Sequence, residues 1–214
     1  MPSVLFAGGM SCWTPGCCRG GKLIGMNGEA FLECVAKIVG RETAERYAKR
    51  FGDLDKPHTE TILGYEALAF YVYSTGVAWH DHINGSLWSE NPSREVLQFA
   101  GVLNRALGKL PPYVLNDGLL FRGYKTLDAE AFAARYEVGQ VVRFHGFTSA
   151  AFREEDAFYG NVLFTIKALT ARRIWFLAAD YEENEVLIPA GQSFQIVDVT
   201  VSHGRAAIFL DELP

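Results

Sequence analysis

Between residues 27 and 110 apolar positions recur at helical spacing; from 111 onward they fall in short runs bounded by turn residues. Asn27 is placed to cap GEAFLECVAKIV, which stops at Gly40, and RETAERYAKRF stops at Gly52. Thr59 opens ETILGYEALAFYVYS, where Leu63, Ala67, Phe70 and Tyr71 share one helical face. Asn91-Pro92 starts a further helix whose stripe of Val96, Phe99, Leu103 and Leu107 ends at Gly108. After Pro111-Pro112 the texture becomes β-like. LLFRGY, QVVRFHGFTSA, NVLFTIKAL, RRIWFLA, NEVLIPA, SFQIVDVTVS and RAAIFLDEL are separated by Gly, Asn, Asp and Pro. Arg172-Arg173 reads as a solvated turn before a strand. Helices first and strands second predict an α+β fold. Too little helix separates the late strands for βαβ units. The expected core is therefore a mainly antiparallel two-sheet β-sandwich with the N-terminal helices packed on it. Residues 1–26 read as a Gly- and Cys-rich arm, and 27–214 as a single domain with a helical part (27–110) and a β-rich part (111–214).

Composition narrows the partners. The 214 residues suffice for one domain with a sizeable core, and 49% hydrophobic against 21% charged residues excludes a disordered chain. A formal net charge of −5 gives no general attraction to nucleic acid or to an anionic membrane, so an anionic ligand requires a local basic patch. Cys12, Cys17, Cys18 and Cys34 all lie in the first sixth of the chain. That distribution suits neither a disulfide framework nor a zinc site with paired CxxC spacing, and free thiols in a reducing compartment are expected. MPSVLFAGGM lacks the basic start of a signal peptide, and no run approaches the length of a membrane span. The expectation is a protein that is cytoplasmic where it is made, or delivered onward without a cleaved leader.

Three polar interruptions of the strands carry candidate chemistry. Arg122 stands among bulky neighbours beside Gly123, where a guanidinium must be paired or face a ligand. Ser149 ends GFTS, as a strand hydroxyl or as a turn residue. DYEENEVLIPAG sets Asp180, Glu182, Glu183 and Glu185 directly before an apolar run, either as a solvated loop or as a loop that uses its carboxylates. His80 and His82, around Asp81, do not share a helical face, so no metal is expected there. Arg143 and His145 flank the serine strand and read as surface residues.

Taken in order, the Arg122 strand, GFTS and ENEVLIPAG resemble the Arg–Ser–Glu-x-Glu series of the arginine-modifying mono-ADP-ribosyltransferases, a branch shared by bacterial toxins, phage enzymes and vertebrate surface enzymes. The resemblance is strongest from Leu119 to Val199. It extends loosely upstream through ALAFYVYSTGVAWHDHINGSLW, with its Ile83-Asn84 pair, and is not carried by residues before about Thr59. It implies transfer of ADP-ribose from NAD, as co-substrate, to an arginine of a target protein, with release of nicotinamide and no metal. It further implies that Glu185 stabilises the oxocarbenium-like transition state at the ribose, and that Glu183 orients the incoming guanidinium and takes its proton. Arg122, with Gly123, would hold the phosphate side of NAD, Ser149 would hold Glu185 or the ribose, and Tyr181 would stack on the target arginine. Two departures stand out. Ser149-Ala150-Ala151 replaces the family's usual Ser-Thr-Ser, and the aromatic residue of the acidic loop sits one position closer to Glu183 than in some relatives. A toxin or effector of this kind implies an immunity or chaperone partner.

Other readings keep the fold and change the function. Water as acceptor would make an NAD glycohydrolase, and a nucleic-acid acceptor is opposed by the negative charge and by Glu183. An inactive binding module would not be expected to keep all of Arg122, Ser149, Glu183 and Glu185.

Overall fold

The computed structural model describes residues 26–75, 79–114, 118–157, 159–174, 176–177 and 186–214. Helices α1 (Gly28–Val39), α2 (Arg41–Ala48), α3 (Gly64–Ser74), α4 (Trp79–Leu87) and α5 (Arg94–Lys109) come first, and α6 (Ala129–Ala133) follows the first strand. Asn27 caps α1, accepting from the Ala30 N–H, and Gly40 ends the helix at φ 87°, as its sequence predicts. In α5 the cap is Ser93, accepting from Val96 N–H at 3.2 Å, and all four stripe residues are buried.

Helix α3 departs from expectation. It starts at Gly64, not at Thr59, because the Thr59 hydroxyl instead accepts from Ile62 N–H (3.1 Å) in a turn. Nor does it show a single apolar face: nearly every residue from Gly64 to Tyr73 is buried, Glu66 included. Glu66 is tolerated there because its carboxylate accepts from Leu63 N–H (3.0 Å) and pairs with Lys109 (2.7 Å). Helix α2 stops at Ala48, short of Gly52.

Among the described residues eight strands form two sheets. A five-stranded sheet has the order β1 (Leu119–Tyr124), β4 (Val162–Lys167), β8 (Arg205–Glu212), β7 (Gln192–Ser202), β2 (Val141–Phe144). A three-stranded sheet has the order β3 (Thr148–Ala150), β6 (Val186–Ile188), β5 (Arg172–Arg173). Pairing is antiparallel except between β4 and β8, so the large sheet is mixed.

Two expectations are corrected here. QVVRFHGFTSA is not one strand: β2 belongs to the large sheet and β3 to the small one. Gly146 lies at the crossing, where a Cβ would sit 2.7 Å from Asn84 Oδ1. Arg172-Arg173 is not a solvated turn but strand β5, opposite Leu187 and Val186. Arg172 is half-buried, bonds the Thr170 and Ala171 carbonyls, and has its pKa lowered by burial, which Glu212 opposes.

The small sheet lies between two cores. Val186, Ile188 and Ala150 pack with Leu120, Ile166 and Ile196 of the large sheet. Leu187, the intervening residue, packs with the helices around Phe70, Phe99 and Leu103. Alternation along a strand with apolar layers on both sides explains why all of β6 is buried. Among the described residues no helix is long and apolar enough to cross a membrane.

Candidate active site

Strand β1 places Arg122 opposite Phe164, on the face that also carries Leu120 and Tyr124. That face looks toward the small sheet, and Arg122 Nη1 donates to the Ser149 carbonyl at 2.8 Å. The two strands are joined beside this contact: Phe121 and Ala151 exchange both backbone hydrogen bonds at 2.8 Å. Arg122 and Ser149, 27 residues apart in the chain, therefore meet where the two sheets meet. Both are half-buried.

Ser149 pairs in register with Leu187, and Ala150 with Val186, the residue that follows Glu185 in sequence. Glu183, Glu185 and Tyr181 themselves lie outside the described residues. By strand alternation the Ser149 side chain shares the face of Leu187, toward the helices, while Ala150 is buried against the large sheet. Ala150, where the resemblance implies a threonine, fills an apolar position 6% exposed, so a hydroxyl there would need a partner inside the core.

The connection leading into β3 is held from the helical side. Asn84 of α4 accepts from Phe147 N–H (2.9 Å) and donates to Phe147 O (3.1 Å), and its Nδ2 also donates to the Tyr73 hydroxyl (3.1 Å). Tyr73 and Phe147 meet edge to face at 5.2 Å. The sequence pattern marks Asn84 only as part of an Ile-Asn pair. Its placement inside a helix was the available signal, because Asn is a poor helix former away from caps.

Arg143 and His145 sit on the surface side of this connection. Arg143 Nε donates to Gly191 O at 3.1 Å, and His145 lies edge-on to Trp88 at 5.2 Å. Burial, then the charge of Arg143, lowers the His145 pKa below the usual 6.5. His80 Nε2 is 3.3 Å from the carboxylate of its neighbour Asp81. Among the described residues no three His, Cys, Asp or Glu side chains are grouped to hold a metal ion. A cavity of about 710 Å³ is lined by Glu154, Tyr159, Leu163, Thr200 and Arg205. It touches Gly123, but neither Arg122 nor Ser149 lines it.

The α+β fold, with its mixed sheet and smaller sheet, belongs to a known class. The family model for NAD:arginine ADP-ribosyltransferase matches residues 37–214, and the chain belongs to that family. The match begins inside α1, upstream of where the resemblance is legible. The chain is 32% identical over 185 residues to the NAD(+)--protein-arginine ADP-ribosyltransferase Tre1 of Pseudomonas putida (strain GB-1), covering 83% of this chain and 36% of that protein. This chain therefore spans little more than a third of that relative's length. Among solved structures, the type III effector XopAI from Xanthomonas axonopodis pv. citri shares the fold with a TM-score of 0.68 at 18% identity, covering 87% of each chain. The ADP-ribosyltransferase Vis, solved in complex with agmatine, matches with a TM-score of 0.59 at 21% identity, covering 81% of this chain and 84% of that one.

Proposed function

We propose that this chain is a mono-ADP-ribosyltransferase that transfers ADP-ribose from NAD to an arginine of a target protein. The observation that carries the proposal is the meeting of Arg122 with Ser149, whose strand pairs with the strand that follows Glu185. The named relative Tre1 and the family match support the same reaction.

In this reading Arg122, with Gly123 leaving space beside it, holds the phosphate side of NAD; an acidic chain needs such a local cation. Glu185 bonds the nicotinamide ribose and stabilises positive charge developing as the C1′–N bond breaks and nicotinamide leaves with the bonding electrons. A guanidinium nitrogen of the target then forms the new bond to C1′, and Glu183 takes up its proton. Ser149 hydrogen-bonds Glu185 or the ribose, and Tyr181 stacks on the arriving guanidinium. Glu183, Glu185 and Leu187 have one parity, so an extended chain would carry both acids to the face of Ser149. The two sheets form the walls of the cleft as a β-sandwich, and residues 27–214 form one domain with 1–26 as an arm. No metal takes part. The protein acts as a toxin or effector, made in the cytoplasm, delivered into a target cell and restrained by an immunity or chaperone protein.

The test uses labelled NAD with a protein extract and with agmatine as a small guanidinium acceptor. Wild type is expected to label protein and agmatine. Glu185→Gln should abolish nicotinamide release, whereas Glu183→Gln should lose transfer and keep some NAD cleavage. Free nicotinamide without label in any acceptor would make the chain an NAD glycohydrolase. No release from folded wild type would make it a binding module.

A further inference from the structure

We infer that three asparagines, Asn84, Asn104 and Asn161, are positioning residues that set the three motif strands of the proposed active site by one shared device. The inference rests on the roles just given to Arg122, Ser149 and Glu185. Each asparagine offers its amide oxygen and nitrogen side by side to both backbone groups of a single residue, as a neighbouring strand would. Asn84 binds Phe147 in this way, two residues before Ser149. Asn104 accepts from Ala190 N–H and donates to Ala190 O, both at 3.1 Å, two residues after β6 ends. Asn161 accepts from Thr126 N–H (2.9 Å) and donates to Thr126 O (3.0 Å), two residues after β1 ends.

The placement is specific. Thr148 pairs with Ile188, so Phe147 and Ala190 lie at the same end of the β3–β6 pair. Both are gripped from helices, α4 and α5, while the opposite end of the pair is Ala150–Val186, next in sequence to Glu185. The helical layer thus anchors the pair at one end and leaves its other end to meet Arg122. On β1, Asn161 performs the same task together with Gly160, whose backbone lies so close to Tyr124 that a Cβ would fall 2.1 Å from the Tyr124 carbonyl oxygen. Asn84 and Asn104 occupy helix interiors, where asparagine has a weak intrinsic preference, so their presence there needs a reason outside the helix. An ordinary loop-terminating role would explain any one of these contacts. It does not explain why each motif strand has one, within two residues of the strand itself.

The device predicts different kinetic signatures. Ser149 and Glu185 act on the reacting ribose, so loosening their strands should lower kcat, whereas Arg122 acts on bound phosphate, so loosening β1 should raise KM for NAD. Nicotinamide release and transfer to agmatine would be measured for Asn84→Ala, Asn104→Ala and Asn161→Ala in the full chain. Misplacement of reacting groups by a fraction of an ångström to an ångström costs about 10- to 100-fold in rate, so the first two variants should lose kcat by that factor with little change in KM. Asn161→Ala should raise KM several-fold with kcat near wild type. The α1 core changes Val35→Ala and Val39→Ala, chosen to match the variants' loss of Tm, should leave both parameters near wild type. Asn84→Gln keeps both the acceptor and the donor on a longer arm, and should be intermediate; it stands in if the alanine variant fails to fold. Asparagine variants indistinguishable from the Tm-matched controls would overturn the inference. A wild type that releases no nicotinamide would instead overturn the proposed function. In that case amide hydrogen exchange decides the inference: exchange at 147–150 and 186–190 should quicken selectively in Asn84→Ala and Asn104→Ala, and unchanged exchange sinks it.

Discussion

At the residue scale, Cys34 shows how far burial rather than residue type decides chemistry. Its Sγ–H donates to the Glu95 carbonyl at 3.2 Å, and burial, reinforced by the Glu95 charge, pushes its pKa up to about 11. Thiolate is the reactive form, so at a pH near 8 the native thiol should resist iodoacetamide. Peptide mapping should find the Cys34 peptide unlabelled in native protein and labelled in denaturant; equally fast labelling in both would show the thiol exposed. The same scale separates what sequence can and cannot say about the site. Arg122 and Ser149 are legible because their order along the chain, with the acids after them, is distinctive. The contact between the Arg122 guanidinium and the Ser149 backbone carbonyl is not legible, since backbone acceptors carry no sequence signal. Asn104 and Asn161 are invisible for a related reason: each pairs with main-chain groups of Ala190 and Thr126, whose side chains say nothing about it.

At the element scale, the helices whose boundaries were legible are those with a side-chain cap and a glycine or apolar stripe to end them. α1 has both signals, in Asn27 and Gly40; α5 begins two residues after the Asn91-Pro92 start, from the Ser93 cap, and runs through Gly108 to Lys109; α3 begins at Gly64 because Thr59 closes a turn on Ile62. β2 and β3 read as one strand because the apolar alternation continues through His145 and Gly146. Only the approach of Asn84 reveals the change of sheet. His145, on that connection, gives the element a pH signature. Its folded pKa lies below the usual 6.5, so between the two values the unfolded chain binds more protons and stability falls as pH drops through the window. His145→Gln removes this contribution. Its Tm should fall less than that of wild type on going from about pH 7.5 to about pH 5.5, and parallel curves for the two proteins would refute the assignment.

At the scale of the whole molecule, the α+β class and the separation of helices from strands were legible. The parallel β4–β8 pair was not, because each of these strands buries alternate residues, and that pattern is the same whichever way its neighbour runs. Nor was the need for the first helices: the resemblance fades before Thr59, while the structure ties that stretch into the core. Phe31 of α1 stacks on Phe99 at 5.8 Å and meets Tyr65 at 5.8 Å, and Val35, Val39, Tyr47 and Leu54 are buried with it. Leu54 is also the wedge against which Gly28 and Gly64 pack, with no room for a Cβ at either glycine. Burying these side chains is worth on the order of 10 kcal/mol, comparable with the whole stability of a domain. A chain of residues 59–214 should therefore lack a cooperative thermal transition and bind ANS, whereas residues 27–214 should melt cooperatively. Because α5 carries Asn104 and packs directly on α1, the short chain should also lose the anchoring of Ala190, even if its sheets form. A cooperative melt from 59–214 would place α1 and α2 outside the folding unit. Selective loss of the helices with retained sheet signal in circular dichroism would show that the large sheet folds without the layer that holds its smaller partner.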